Sequence, residues 1–490
     1  PVAPSGGKYR YVQSRPSLVG NFAYGKYQTK SLRYGDYELQ FFTRSGNNEL
    51  IARYGETLGS ALQFYSKSFG AADTAKKLNV IQIDDDSLDF YSAQGMLFIA
   101  NRQFEEGRDV TVARLQREAA FQWWGLTVGL KSFDDVWLSQ GLAEYSAVSL
   151  RESTTDAAKL EDFRRELLEK ALTFEQTASL LRAPANLDDQ SIAYQYIMYG
   201  KGALVFKLLR DTLGAAKFDQ LLKTYLAEFR GKSASIDDLE KLATRIAGQP
   251  MRYFFARWVE GTGVPEFNAD YQIIRTRGGK FITRGTVSQN YDNLRLPLEL
   301  QLRSEGDAQP QTITVNVEDS SADFNIESTG KPLAVIIDPN FKLLRISSDL
   351  RTSSIARRGI EQFKEGNYVE AQAQFEAALK LDRSNAWIYY HLGLLYLEQR
   401  NYDLAIDNFK AARDLGNQGS ARPAWLHVWS DQNGQRLRRQ GRPDTGRRCV
   451  QTGRDHRRQL RQCPGRRKTL YGNAVRPEGQ TDERDQIGRQ

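Results

Sequence analysis

Arg117-Glu118-Ala119-Ala120-Phe121-Gln122-Trp123-Trp124-Gly125 is the stretch on which the reading of this chain turns. The pattern around it predicts a helix over 110–125. On a helix, residues four apart lie on one face, so Arg117 and Phe121 point the same way. The indole pair Trp123 and Trp124 reads as core, because side chains of that size dominate burial. Gly125 is a natural place for the helix to stop.

Working outward, residues 108–265 read as mainly helical, with segments at 110–125, 135–151, 157–182, 201–213, 216–230, 236–247 and 250–260. Ser235 stands where its hydroxyl can accept a bond from a free N–H of the first turn. Asp237 and Asp238 suit the positive end of the helix dipole, and Gly248 suits the C-cap. N-terminal to this region, 47–69 is a helix, and 9–12, 37–42 and 78–83 are strands. After Pro265 the apolar period changes to two. Strands at 271–274, 296–302, 312–317 and 333–337 predict a small β-sandwich.

Residues 352–419 carry an internal repeat. Gly359 recurs as Gly393, Ala371 as Ala405, Phe375 as Phe409 and Ala378 as Ala412, each 34 residues on. Small residues at these offsets let antiparallel helices touch, with Phe filling the gap, which is the tetratricopeptide pattern. A third unit is expected, because a solenoid needs about three to bury its faces. At the same offset stand instead His427, Arg439, Pro443 and Gly446, in an Arg/Gln/Gly-rich stretch. Two readings compete for this tail, a basic disordered segment and the product of a shifted reading frame. The abrupt break in mid-repeat favours the second. The domains expected are therefore a β remnant at 1–44, a mostly helical domain at 45–268, the sandwich at 270–350, two repeats at 352–419 and the tail at 420–490. The fold class is α+β.

Composition narrows the chemistry. The three His are His391, His427 and His456, and the two Cys are Cys449 and Cys463, so residues 1–390 have neither. That excludes a His- or Cys-ligated metal, a Ser-His-Asp triad, a Cys-His dyad and a disulfide from that region. Cys449 and Cys463 with one His between match no zinc-finger spacing. Residues 431–490 hold 15 Arg and one Lys against seven Asp and Glu, so the net +8 lies in the tail and residues 1–430 sum to −1. No nucleic-acid partner is therefore expected for residues 1–430. No apolar run reaches the ~18–20 residues of a membrane span. The start at Pro1-Val2, without Met, reads as a fragment or a processed product.

Three further stretches complete the pattern: Trp137-Leu138-Ser139-Gln140-Gly141-Leu142-Ala143-Glu144-Tyr145, Tyr199-Gly200-Lys201-Gly202 and Trp258-Val259-Glu260-Gly261-Thr262-Gly263-Val264-Pro265. Together with Arg117–Gly125, and in this order, they resemble the membrane alanyl aminopeptidase family of gluzincin zinc metallopeptidases over residues 1 to about 350. The resemblance implies a thermolysin-like, mostly helical domain followed by a β-sandwich. It implies a helix bearing H-E-x-x-H, a Glu ligand nineteen residues after the second His, and a Tyr that steadies the tetrahedral intermediate. It also implies a G-x-M-E-N segment that grips the substrate's amino group, and an exported or membrane-associated bacterial protein. In such a site the metal lowers the pKa of its water, the Glu of the motif takes the proton, and the Tyr hydroxyl faces the oxyanion.

Carried onto this chain, the His positions are Arg117 and Phe121, and the third-ligand position, nineteen residues past Phe121, is Gln140. Only Glu118, at the general-base position, and Tyr199, at the oxyanion position, keep the family's side chains. The Glu of G-x-M-E-N falls on Ser92. The zinc expected of the family has lost its ligands, so no metal and no cofactor are expected. Glu118 is read as one half of a structural ion pair with Arg117 or a neighbour, and Tyr199 as a tyrosine of the core or cleft at a helix start. Trp137 joins the core tryptophans. Asp84-Asp85-Asp86 and Asp134-Asp135 read as solvated loop acids, and no motif supports Glu118 and Glu144 as a glycosidase pair. The function expected is a non-catalytic homologue of zinc aminopeptidases that binds a peptide or protein partner in the old cleft and through the repeats. The alternative is an active peptidase or other hydrolase with an atypical site around Glu118, Gln140 and Tyr199.

Overall fold

A computed structural model describes residues 2–5, 8–10, 21–44, 47–74, 76–85, 87–105, 110–291, 294–306, 309–318 and 320–418. All of them fall in one compact unit, Pro1–Trp425. Asp86, His427, Arg439, Pro443, Gly446, Cys449, His456 and Cys463 lie outside the described residues, as do both readings of the tail.

Strands β1 (Val2–Ser5) and β2 (Lys8–Arg10) pair as a hairpin. Strands β3 (Gln28–Tyr34) and β4 (Tyr37–Thr43) form a second one. Helix α1 (Asn48–Phe69) then crosses to β5 (Lys77–Ile83), followed by β6 (Phe90–Ala93) and β7 (Met96–Ala100). The sheet order is β3-β4-β5-β7-β6, with β4, β5 and β7 parallel and the two edges antiparallel. The expected boundary at residue 44 is corrected here, because β4 bonds directly to β5. Its alternating Tyr37, Leu39 and Phe41 are buried in one core with Leu50, Tyr54, Leu58 and Leu62 of α1. A sequence break cannot reveal parallel pairing, since the partner strand lies across a 22-residue helix. The side chain of Asn47 starts α1 by accepting the Leu50 N–H.

The helical layer comprises α2 (Val112–Ala120), α3 (Trp137–Thr154), α4 (Ala157–Thr173), α5 (Ala183–Asn186), α6 (Ile192–Gln195), α7 (Gly202–Leu213), α8 (Ala215–Phe229), α9 (Ile236–Ala247) and α10 (Arg252–Phe255). Two-residue strands β8 (Gly129–Leu130) and β9 (Ser233–Ala234) tie the loop after α2 to the loop after α8. Helix α9 follows its sequence signals. Ser235 and Asp238 form a reciprocal capping box, and Gly248 ends the helix at φ +78°. Helix α4 stops at Thr173, short of the expected 182. From there the chain turns back, and the Leu181 N–H bonds the Val259 carbonyl at 3.1 Å. Two π-helical segments interrupt the α pattern, Tyr196–Lys201 ahead of α7 and Ala256–Glu260 after α10.

C-terminal to this layer stand two three-stranded antiparallel sheets. One is β10 (Phe267–Arg275), β11 (Phe281–Gln289) and β14 (Ser321–Ser328), and the other is β13 (Gln311–Val317), β12 (Leu296–Ser304) and β15 (Pro332–Ile337). Strand β12 reads cleanly in sequence because Leu296, Leu298, Leu300 and Leu302 all face the core. Strands β11 and β14 escape notice because few of their inward residues are large apolar ones.

Helices α11 (Ser348–Lys364), α12 (Tyr368–Leu381), α13 (Ala386–Glu398) and α14 (Tyr402–Gln418) are two helical hairpins. The repeat offsets have a steric cause. A Cβ on Gly359 would lie 2.8 Å from the Phe375 ring, and one on Gly393 would lie 2.5 Å from the Phe409 ring. Within each pair the glycine lets the phenyl ring of the second helix rest on the backbone of the first. Helix α11 also docks on α4. Arg357 pairs with Glu169 at 2.9 Å, Arg358 donates to the Thr173 carbonyl, and Glu361 accepts from the Tyr196 hydroxyl at 3.1 Å.

Candidate functional site

The site is assembled from α2, α3, strand β6 and the Tyr196–Lys201 segment, and residues of the motif stretches bolt them together. Gln122 clamps the β6–β7 hairpin, donating to the Ala93 carbonyl at 3.0 Å and accepting the Gly95 N–H at 2.9 Å. Trp123 donates to the Gly70 carbonyl beyond α1 at 2.7 Å, and Trp124 to Ser146 of α3 at 2.9 Å. Ser139 returns a bond to the Trp124 carbonyl at 2.8 Å. Gly125, at φ +111°, makes the turn that leaves room for that hydroxyl. Trp123, Trp124 and Trp137 are all fully buried, as expected of core residues.

Helices α3 and α7 cross backbone to backbone. A Cβ on Gly141 would meet the Trp137 indole at 2.6 Å, and one on Gly202 would lie 3.3 Å from the Gly141 Cα. Trp137 stacks on Phe206 with ring centroids 4.4 Å apart and donates to the Gly202 carbonyl. Lys201, wholly buried, pairs with buried Glu175 at 2.9 Å and donates to the Gly261 carbonyl at 3.2 Å. Glu175 in turn accepts the Gly263 N–H at 2.9 Å. Burial holds the Lys201 ammonium below its usual pKa range, and the Glu175 charge works against that shift. This buried pair therefore joins the Tyr199–Gly202 stretch to the Gly261–Gly263 turn. Nothing in its local sequence marks Glu175.

Upon this frame the five motif positions fall into more than one group. Arg117, buried near the end of α2, lies with its guanidinium 3.7 Å from the Tyr199 ring centroid. Its Nη1 reaches the Glu144 carboxylate at 3.3 Å, and its Nε is buried without a hydrogen-bond partner among the described residues. Glu144 lies one turn beyond Gln140 on α3, a spacing legible in sequence as a shared face. Glu118 turns elsewhere. It is buried, pairs with Arg114 at 2.7 Å and accepts the Ser92 hydroxyl at 2.6 Å. The neighbour foreseen for Glu118 is thus Arg114 and not Arg117. Ser92, on β6, thus lies against Glu118.

Phe121 is the C-cap residue of α2 and packs half-buried against the main core. Gln140 is half-buried, and its Oε1 has no partner of hydrogen-bonding geometry. It faces the Tyr194 hydroxyl, which burial chiefly pushes up in pKa and which Gln140 draws partly back. Tyr199 sits inside the π-helical segment, whereas the sequence places it at a helix start. The structure thus joins Arg117 and Tyr199 in one contact and leaves Glu118 and Gln140 in contacts of their own. A cavity of about 260 Å³ opens beside the first group, lined by Arg117, Glu144, Arg151, Phe163, Lys170 and Tyr199 among others.

The remaining acids are local. Asp84 pairs with Arg44 at 3.0 Å, and Asp85 accepts from Ser87. Asp135 corrects its reading as a solvated acid. It is buried, closes a capping box on Ser132 and accepts the Ile236 N–H at 2.9 Å. Among the described residues no three His, Cys, Asp or Glu side chains group as a metal site, and no helix is long and apolar enough to cross a membrane.

Comparison with known proteins agrees with this architecture. Residues 59–258 match the peptidase family M1 domain, and residues 359–400 match a tetratricopeptide repeat. Aminopeptidase N of Haemonchus contortus is 27% identical over 235 residues, covering 42% of this chain and 24% of that protein. Tricorn protease-interacting factor F2 of Thermoplasma acidophilum is 22% identical over 320 residues, covering 62% of this chain and 40% of that protein. The chain thus spans well under half the length of these relatives. Aminopeptidase A of Legionella pneumophila, solved in complex with aspartic acid, superposes with a TM-score of 0.51 at 14% identity. That match covers 81% of this chain and 52% of the other, and it is a likeness of fold.

Proposed function

Taking residues 59–258 as a peptidase family M1 domain followed by a tetratricopeptide repeat, we propose that this chain is a non-catalytic member of the aminopeptidase relatives. In this reading it holds a peptide or protein partner in the former cleft, and the repeats add a docking surface. One observation carries the reading. Arg117, at the first ligand position, is already committed to Glu144 and to the face of Tyr199.

The donor chemistry supports it. Zinc takes thiolate, imidazole or carboxylate ligands. The three ligand positions offer a guanidinium, a phenyl ring and a carboxamide, which do not fit the ion. The two retained residues are engaged in ways that suit structure. Glu118 is buried between Arg114 and Ser92, and Tyr199 serves as the platform under a cation. An atypical hydrolase around Glu118, Gln140 and Tyr199 gains nothing from this arrangement, since Glu118 and Tyr199 keep separate partners.

The test is metal content and turnover of the full chain. After exchange into buffer with excess zinc and removal of free metal, the protein is expected to retain less than about a tenth of an equivalent. It is also expected to leave aminoacyl p-nitroanilides uncleaved. Stoichiometric zinc together with chelator-sensitive cleavage overturns the proposal.

A further inference from the structure

The cavity beside Arg117 has an unusual charge ledger. Five charged side chains line it: Arg117, Arg151 and Lys170 against Glu144 and Glu166. Lys170 and Glu166 neutralise each other one turn apart on α4, at 2.8 Å. Burial alone would raise the Glu166 carboxyl, but Lys170 and the nearby arginines outweigh it and hold that group below its ordinary range. Glu144 is the remaining acid, shared with Arg117 over a long 3.3 Å contact. Arg151 has no carboxylate partner among the described residues, and its guanidinium lies 4.4 Å from the Phe163 ring centroid. Glu166 therefore answers Lys170 directly and Arg151 at longer range, and the lining carries one net positive charge, with Arg151 exposed. Arg117, mostly buried, is the second arginine of the lining, and its Nε has no acceptor among the described residues.

A guanidinium that lines a cavity favours an anionic partner there. A carboxylate meets the need, because its two oxygens match the fork of a guanidinium and form the stronger, charge-assisted bonds. The rest of the lining suits what a carboxylate brings with it. Ala147, Val148, Phe163 and Leu167 offer apolar surface for a side chain, and Gln195 and the Tyr199 hydroxyl offer polar contacts. At about 260 Å³ the space lies near the small end of ligand pockets, enough for one or two residues.

We propose that this cavity is a carboxylate receptor, taking a peptide's anionic group between Arg117 and Arg151 with an apolar side chain against Phe163 and Leu167. This inference rests on the peptide-binding reading above and gives it a polarity. The expected anchor is an acid, where the aminopeptidase resemblance implies a grip on a free amine through a carboxylate that is here Ser92. The acid can be a peptide's C-terminus or an acidic side chain, and the chemistry of recognition is the same.

Calorimetric titration of the full chain with four short peptides separates the possibilities. The probes are acetyl-Phe-Leu with a free C-terminal acid, the same peptide amidated, Phe-Leu amide with a free amino terminus, and acetyl-Leu-Glu-Leu amide. The free acid is expected to bind at least tenfold more tightly than its amide and to weaken at least tenfold in the Arg151→Gln variant. That residue is exposed, so its replacement leaves the core intact. Equal or tighter binding of the Glu-containing peptide identifies a side-chain source and supports the same receptor. Binding that ignores amidation, favours the free amine or survives Arg151→Gln unchanged overturns the carboxylate proposal and leaves peptide binding standing. Failure of all four peptides to bind at millimolar concentration overturns this proposal and counts against a peptide cleft, while the zinc and turnover test still judges whether the chain is catalytic.

Discussion

Within each motif stretch, two kinds of position sit side by side and behave differently. Gln122, Trp123, Trp124, Trp137, Gly141 and Lys201 each join two segments far apart in the chain and are buried on every side. Arg117 and Tyr199 line the cavity, and Phe121 and Gln140 are only half-buried. The difference separates the side chains that hold the framework from those beside the cavity. The framework's stability comes from burial and interlocking bonds, and the cleft side chains contribute little to it. Arg117 offsets part of the cost of burial locally, through Glu144 and the Tyr199 ring.

The contrast predicts a graded series of stability losses, measured by denaturant unfolding of the full chain. Trp124→Ala removes a fully buried indole and its bond to Ser146, and is expected to cost about 3–5 kcal/mol. A loss below about 1 kcal/mol would show that the α2–α3 junction does not carry the frame. Gly141→Ala pushes a methyl into the Trp137 ring, which is pinned against Phe206. The expected cost is about 1–3 kcal/mol, with a larger effect than the same change at exposed Gly416. Tyr199→Phe keeps the ring under Arg117 and removes only the hydroxyl, so the expected change is within about 0.5 kcal/mol. A much larger loss there would erase the distinction between frame and cleft.

How much of this was legible beforehand depended on the range of the interaction. The 34-residue repeat was readable because Gly359 with Phe375 and Gly393 with Phe409 are local helix-hairpin contacts, and each is written twice. The Ser235 cap and the Gly248 stop of α9 are local signals and equally plain, whereas the return bond from Asp238 to Ser235 is seen only in the structure. The junction of β4 with β5 was not, because parallel pairing across a helix leaves no mark on either strand. The partner of Glu118 was half legible. Arg114, one turn back on the same helix, could have been found from spacing, whereas Ser92 could be placed beside it only in three dimensions. Glu175 gave no signal at all, since its role exists only once Lys201 and the Gly263 turn converge on it.

Sequence by itself determined the chemical inventory. A chain with Arg117, Phe121 and Gln140 at those offsets presents neither imidazole nor carboxylate there, whatever its fold, because side-chain identity is a covalent fact. Sequence also determined the periodic elements, whose contacts are short in range. Tertiary structure alone decided the allocation of partners. It turned Glu118 to Arg114 and Ser92, set Arg117 between Glu144 and Tyr199, and left Arg151 in the cavity lining without an ion pair among the described residues. Such pairings are chosen by desolvation and packing among segments that meet only on folding, and no local pattern encodes them.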